Sequence, residues 1–454
     1  MHRLPLTAMI VITAVTARGQ VDDSLLIRKL ADEILVHGKA YDNLRELTKT
    51  IGQRLSGSPQ TYLAEAWAKA VLMTSDADSV WLQQCRIPHW VRGGKDEAAM
   101  IAGNSRSPLD VIALGNSTGT GSSGLTAPLL VVNSFDELEL HKGEVKGKVV
   151  FYNYPFNPRL VRTFQAYADA VVYRAQGASR AAKYGAVAVL VRSMTESVDN
   201  APHTGAMRYD AGYPMIPALA IGLWDADKLA SAAKAKTIQV WLKTNAHTLP
   251  DTVGYNVIGE LRGKEFPDQY ITVGGHLDSW DPAEGAQDDG AGCVHSIEVL
   301  RALKAIGYVP RHSIRVVLFS DEENHGGGAA AYSQAALEHK EVQLFGLESD
   351  AGGFTPRAFS ISASKEQWEK LNHWLPLFKE YGVYEFFPGG GGADVEPLGE
   401  SLHIPVGELI PDSQRYFDIH HSRNDVFENV NKRELELGAI NMAALIYLMD
   451  KYGF

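Results

Sequence analysis

Residues 22–75 place apolar side chains at three- and four-residue intervals in "SLLIRKLADEILVHGKAYDNLRELTKTIG" and again in "TYLAEAWAKAVLM", after the break Ser56-Gly57-Ser58-Pro59. That period gathers the apolar groups on one face, so the spacing predicts helices. Two β-like pieces follow, "SVWLQQCRIPHWVRG" and "LDVIALG", and read as the first strands of a sheet completed later in the chain. The Gly/Ser/Thr-rich stretch "NSTGTGSSGLTAP" (116–128) then has the composition of a linker.

Beyond the linker the texture changes to many short strands with one clear helix, among them "PLLVVNS", "KGKVVFYNYP", "IPALAIG" and "IQVWLKTNA". Residues 126–246 are therefore read as an inserted domain, with 20–125 and 247–454 forming a discontinuous main domain. From residue 250 strands and helices alternate. "GYNVIGELRG", "DQYITVGGH", "RHSIRVVLFSDEE" and "VQLFGLESDAGG" are predicted strands. "CVHSIEVLRALKAIG", "GGAAAYSQAALEHK", "EQWEKLNHWLPLFKEYG" and "NKRELELGAINMAALIYLMDKYG" are predicted helices. Such alternation implies an α/β fold, a mostly parallel mixed sheet flanked by helices. In these sheets functional residues collect in loops at the carboxyl ends of the strands.

Composition narrows the partners. At 454 residues the chain is long enough for two domains. A net charge of −11 argues against nucleic acid and anionic membrane, since phosphates are held mainly by Lys and Arg. The opening "MHRLPLTAMIVITAVTARGQ" has a basic start, an apolar run from Leu4 to Ala17, and small residues after it. It reads as a signal peptide over 1–19, removed after Ala17 or Gly19, which predicts a secreted or periplasmic protein. Cys85 and Cys293 are too few for a disulfide framework and are expected to be buried free thiols. His203 and His247 are isolated and fit surface histidines better than ligands. Asn116 begins the sequon Asn-Ser-Thr.

Chemistry enters at the strand ends. "YITVGGH" stops at His276 with Asp278 following, "IRVVLFSDEE" stops at Asp321-Glu322-Glu323, and "VQLFGLESD" stops at Asp350. In one parallel sheet these groups converge on one rim although they lie far apart in sequence. Crowded carboxylates repel one another, and bound cations remove that cost. Imidazole and carboxylate without thiolate suit zinc, and two histidines with a shared carboxylate would satisfy a two-metal hydrolytic centre.

In their order, "HLDSWD" (276–281), "GAQDDGAG" (285–292), "SDEEN" (320–324), "ESDAGG" (348–353) and "HHSRND" (420–425) resemble the co-catalytic zinc exopeptidases, the family of bacterial leucyl aminopeptidases and glutamate carboxypeptidase. "RLSGSPQ" (54–60), "RIPHWVRG" (86–93) and "GGGGADVEPL" (389–398) resemble its carboxypeptidase Q subfamily, so the likeness spans nearly the whole mature chain. The resemblance implies two zinc ions, with His276, Asp288, Glu323, Asp350 and His421 as ligands and Asp288 bridging. It implies that Asp278 orients the His276 ring through its other nitrogen. It also implies a cis peptide between Asp288 and Asp289. Of the adjacent histidines, His421 starts the family's His-Ser-x-x-Asp pattern. Neighbours on an extended segment point oppositely, so His420 is expected to line the pocket or face away.

Glu322 is left without a metal, which suits a general base that takes a proton from the attacking water and passes it to the leaving amine. Asp394 fits either a site for the substrate's amino group or a helix N-cap. Trp280, Tyr416 and Phe417 are candidate pocket walls. "RAAKYGAVAVLVRS" and "IPALAIG" give the inserted block the look of a protease-associated domain. What the resemblance implies is an exopeptidase acting on dipeptides or short peptides, and a possible homodimer. A glutaminyl cyclase-like acyl transferase and a non-catalytic receptor on the same scaffold stand as alternatives.

Overall fold

The computed structural model describes the backbone from Thr7 onward and side chains from Asp22 onward, so the expected signal segment at 1–19 lies outside the fully described residues. The amphipathic spacing at 22–75 folds as the helices Thr7–His37, Ala40–Glu46 and Pro59–Thr74. Ser58 caps the last of these by accepting the Thr61 N–H, and Pro59 occupies its first turn, where no N–H is needed.

The strands form two separate mixed sheets. In the first, the order is Ser79–Val91, His247–Leu261, His312–Phe319, Phe266–His276, Val342–Glu348, Val406–Pro411, Pro356–Ile361 and Glu385–Pro388. Its centre is parallel, and antiparallel strands flank it. The strand His312–Phe319 shows how helices cover both faces. Ile314, Val316 and Leu318 face the core shared with the helices Ala291–Ala305 and Lys432–Tyr452, while Val317 and Phe319 pack against Ala329, Tyr332 and Leu398 on the other side. Both faces being buried, the strand reads as a continuous apolar run.

The second sheet has the order Ser105–Leu109, Glu97–Ala102, Gln239–Lys243, Leu125–Val132, Val149–Tyr152, Ala188–Arg192, Ala218–Ile221 and Val111–Ala113. Two expectations change here. "SVWLQQCRIPHWVRG" does join the first sheet, but "LDVIALG" does not: Val111–Ala113 pairs with Ala218–Ile221 in the second. That sheet also takes in Glu97–Ala102 and Ser105–Leu109, so its strands begin well before residue 126. Residues 116–124 of the Gly/Ser-rich stretch are therefore a loop within this unit, between Val111–Ala113 and Leu125–Val132, and its last residues begin the second of those strands.

Cys85 and Cys293 are buried and free, and Cys293 Sγ contacts the His276 carbonyl at 3.0 Å. His247 is exposed. His203 is not a surface residue: it is 2% exposed, because the loop that carries it folds back against the turn at His420–His421. Among the described residues no helix is long and apolar enough to cross a membrane.

Candidate metal centre

Strand register assembles the site. Phe266–His276 runs parallel between His312–Phe319 and Val342–Glu348, pairing His276 with Phe319 and Gly274 with Glu348. Asp321–Glu323 and Asp350 therefore leave the sheet at the level of His276. The Gly-Gly pair before His276 is required by a close approach: a Cβ on Gly275 would lie 2.3 Å from Asp289 Oδ2. Asp289 uses that space to accept the His276 N–H at 3.0 Å and the Gly292 N–H at 2.9 Å, tying the following turn to the strand end. The Asp288–Asp289 peptide bond is cis.

Asp288 sits between two histidines. Its Oδ1 lies 3.3 Å from His276 Nε2, and its Oδ2 lies 3.1 Å from His421 Nε2. On the first side Asp350 Oδ1 is 3.3 Å from His276 Nε2; on the second Glu323 Oε2 is 3.1 Å from His421 Nε2. The five expected ligands thus come together. Asp425 accepts the N–H groups of Ala286, Gln287 and Asp288 and so holds the loop that presents Asp288. Arg54, fully buried, donates to the carbonyls of Leu277, Glu284 and Gly285 and braces the same loop from below.

Two details differ from expectation. Asp278 reaches His276 chiefly through its backbone: its carbonyl is 3.1 Å from Nδ1, whereas its Oδ1 is 3.8 Å away. The carboxylate is occupied instead by Ser56 Oγ at 2.7 Å and by the N–H groups of Glu322 and Glu323. The effect on the ring is the same, since an acceptor at Nδ1 keeps that nitrogen protonated and turns the Nε2 lone pair toward the acids. His420 lines the cavity, one of its two expected placements, but it does so without pointing away from His421. Their rings stack with centroids 3.5 Å apart, and His420 Nε2 is 3.6 Å from Asp288 Oδ2. The segment is a turn after the short helix Tyr416–Ile419, and the left-handed φ of 60° at His421 swings both rings to one side.

Glu322 lines the cavity with its Oε2 3.8 Å from His276 Nε2. Burial pushes its carboxyl well above the usual range; His276 opposes the shift, while Asp350 and Glu323 add to it. Asp394 is buried with neither carboxylate oxygen hydrogen-bonded, and its backbone N–H donates to Glu348. It caps no helix, since the helix Glu396–Leu402 starts beyond Val395. Tyr416, Phe417 and His420 line the cavity beside Glu322, about 630 Å³ in volume. Trp280 does not: it packs edge-on against Trp90 and His421 on the far side of the centre.

The donors fit zinc. Asp288 Oδ2 and Glu323 Oε1 are buried without a hydrogen bond of good geometry, a costly state for a carboxylate unless a cation occupies the gap. Imidazole nitrogen and carboxylate oxygen, with no thiolate, match zinc's ligand preference.

Sequence spacing did not reveal the contribution of the inserted block. Thr204 O lies 3.3 Å from His421 Nδ1, and the Arg174 guanidinium, 3.4 Å from the same nitrogen, lines the cavity. No local motif marks either residue. For Arg54 and Ser56 a signal existed, since both lie in "RLSGSPQ".

Comparison with known proteins agrees with this geometry. Residues 256–446 match the model of peptidase family M28. The chain is 34% identical to carboxypeptidase Q of Homo sapiens over 428 residues, covering 93% of this chain and 88% of that protein. The crystal structure of a peptidase M28 precursor from Shewanella amazonensis superposes with a TM-score of 0.90 at 30% identity, covering 95% of this chain and 97% of that one. A zinc aminopeptidase from Bacillus subtilis shares the fold, with a TM-score of 0.66 at 20% identity over 90% of this chain and 94% of that one. With its histidines and carboxylates gathered on one sheet rim, this chain belongs to peptidase family M28 and is a metallo-exopeptidase.

Proposed function

We propose that the protein is an exported dinuclear zinc exopeptidase that cleaves the N-terminal peptide bond of dipeptides or short peptides. One zinc would be held by His276, Asp288 and Asp350, the other by Asp288, Glu323 and His421. The observation that carries this reading is the position of Asp288, whose two oxygens face two different histidines, each with its own second carboxylate. When bound, the zinc pair supplies Lewis acidity that polarises the scissile carbonyl and acidifies the attacking water.

The remaining work falls to the chain. Glu322, on the cavity wall and not needed as a ligand, accepts the proton of the attacking water and returns it to the leaving amine nitrogen. Tyr416, Phe417 and His420 shape the space beside it. The inserted block, read as a protease-associated-type domain, supplies Phe164, Tyr167 and Arg174 to the same cavity, with Phe164 and Tyr167 packed against Tyr416, Phe417 and His420, which supports a preference for short substrates. Export rests on the basic start and apolar run of residues 1–19.

Zinc content per chain, measured with hydrolysis of a dipeptide panel before and after chelation, tests this reading. Two zincs and activity lost on chelation are expected. One zinc or none, with no peptide cleaved, would overturn it in favour of a cyclase or a binding protein.

A further inference from the structure

The turn that carries His421 is gripped by both units. Among the described residues the chain passes between the units twice, after Val91 and before His247, and the crossings lie together because those two residues pair. The covalent links thus fix one edge of the second-sheet unit and leave its seating to side-chain contacts. Several of these fall on the segment 420–425 of the first-sheet unit. Asp425 ties one end of it to the loop that presents Asp288, and the Asp425 carbonyl accepts the Glu284 N–H at 3.1 Å. From the second-sheet unit, the Thr204 N–H donates to the His421 carbonyl at 2.9 Å, Asp199 Oδ2 accepts from Asn424 Nδ2 at 2.5 Å, and Asp110 Oδ2 pairs with Arg423 Nη1 at 2.8 Å.

The two side-chain ties are unequal. The Arg423 and Asp110 side chains are 50% and 37% exposed, and an ion pair so open to water contributes little. Asn424 and Asp199 are both partly buried, so their hydrogen bond, with a carboxylate as acceptor, is the stronger tie. The Asn424 backbone is secured separately: its N–H donates to Ser422 Oγ at 3.2 Å, and its carbonyl accepts from Asn429 Nδ2 at 2.7 Å. Its side chain is therefore left to serve the contact between units.

We infer that Asn424 is a positioning residue whose bond to Asp199 couples the seating of the second-sheet unit to zinc affinity on the His421 side of the centre. The inference rests on the two-zinc reading above and deepens it by naming how that site is regulated. A turn held by Asp199 on one side and anchored through Asp425 on the other keeps His421 Nε2 at 3.1 Å from both Asp288 and Glu323, so freeing one side loosens the ligand. The His276 side differs: His276 is fixed by Asp289 and by the Asp278 carbonyl, both within the first-sheet unit. Coupling is reciprocal, so zinc on the His421 side in turn favours the seated unit. The same unit brings Phe164, Tyr167 and Arg174 to the cavity, and the centre is therefore complete only while that wall is in place.

Zinc titration of the chelated protein against a competing chelator resolves the two sites, and His421→Ala identifies which is which. The wild type is expected to bind two zincs. Asn424→Ala and Asp199→Ala should each weaken the His421-side zinc by about 10-fold, the scale of one hydrogen bond to a charged group, and leave the other zinc unchanged. The double variant should be no weaker than Asp199→Ala alone, because both changes remove the same contact. Amide exchange across residues 199–206 supplies a second readout, independent of turnover. Adding zinc should slow it in the wild type and slow it less in Asn424→Ala. Two zincs in the wild type, with both affinities unchanged in the variants or exchange indifferent to zinc, would overturn this inference alone. Equal weakening of both sites would overturn it as well, since the variants would then have damaged the fold at large. Fewer than two zincs in the wild type would overturn the dinuclear reading and this inference with it.

Discussion

Thr204 and His421 are joined at two points: the Thr204 N–H donates to the His421 carbonyl at 2.9 Å, and the Thr204 carbonyl stands 3.3 Å from His421 Nδ1. The first contact steadies the left-handed backbone at His421. The second favours the tautomer whose Nε2 lone pair faces Asp288 and Glu323. Because Thr204 belongs to the unit built on the second sheet, that unit takes part in shaping the metal centre as well as in walling the cavity.

Gly205 shows how tight this junction is. It has a φ of +127°, and a Cβ there would lie 2.2 Å from Arg174 Nη1 and 2.7 Å from His421 Nδ1. Gly205→Ala must therefore push His421 or Arg174 out of place. The expected outcome is zinc lost from the His421 side and kcat/KM lowered by about 100-fold or more, since small misplacements at a reacting centre are costly. Metal analysis beside circular dichroism checks it; full zinc content with full activity would show that the contact does not matter.

Glu322→Gln separates proton transfer from metal binding. The substitution keeps the shape of the side chain and leaves every proposed ligand untouched, so zinc content should stay at the wild-type value. Turnover should fall by about 100- to 10,000-fold, the usual contribution of a general base. If the variant keeps its rate, another group takes the proton.

The stacked pair His420 and His421 calls for parallel replacement. His421 Nε2 has close approaches to both Asp288 and Glu323, whereas His420 approaches only Asp288, and at the longer distance of 3.6 Å. His421→Ala is expected to lose zinc and activity together. His420→Ala should retain zinc and alter KM more than kcat, as suits a residue of the cavity wall. The reverse result would exchange their roles.

Much of the centre was legible because parallel strands buried on both faces read as unbroken apolar runs, so the polar residue that ends each run stands out. His276, Glu322, Glu323 and Asp350 all appear in this way. Other parts left no such mark. The strands Pro356–Ile361, Glu385–Pro388 and Val406–Pro411 are short and bounded by Pro, and they were not picked out. Val111–Ala113 joins the second sheet by pairing with a strand that lies about a hundred positions later, a contact no local pattern encodes. Arg174 and Thr204 act on His421 from more than two hundred positions away. His420 does line the cavity, but the alternation of an extended chain is not the reason, since the chain there is a turn.

Glu65 offers a test of stability that stands apart from catalysis. It lies on the helix Pro59–Thr74, is 4% exposed, and accepts the Tyr255 N–H at 2.8 Å. Burial pushes its carboxyl from an ordinary 4.5 up to about 7. The folded protein therefore keeps a proton that the unfolded chain releases over that interval, and stability falls as pH rises through it, then levels above about 7. Glu65→Gln keeps the acceptor for Tyr255 and removes the ionisation. At pH 8 the variant should be more stable than wild type by about 1–2 kcal/mol, after discounting the shift for solvent screening. At pH 5, where the folded wild type still holds the proton, most of the gain should vanish. Urea unfolding at the two pH values decides the matter: a gain that is equal at both would assign the effect to packing, and no gain at pH 8 would mean that Glu65 ionises in the folded state without cost.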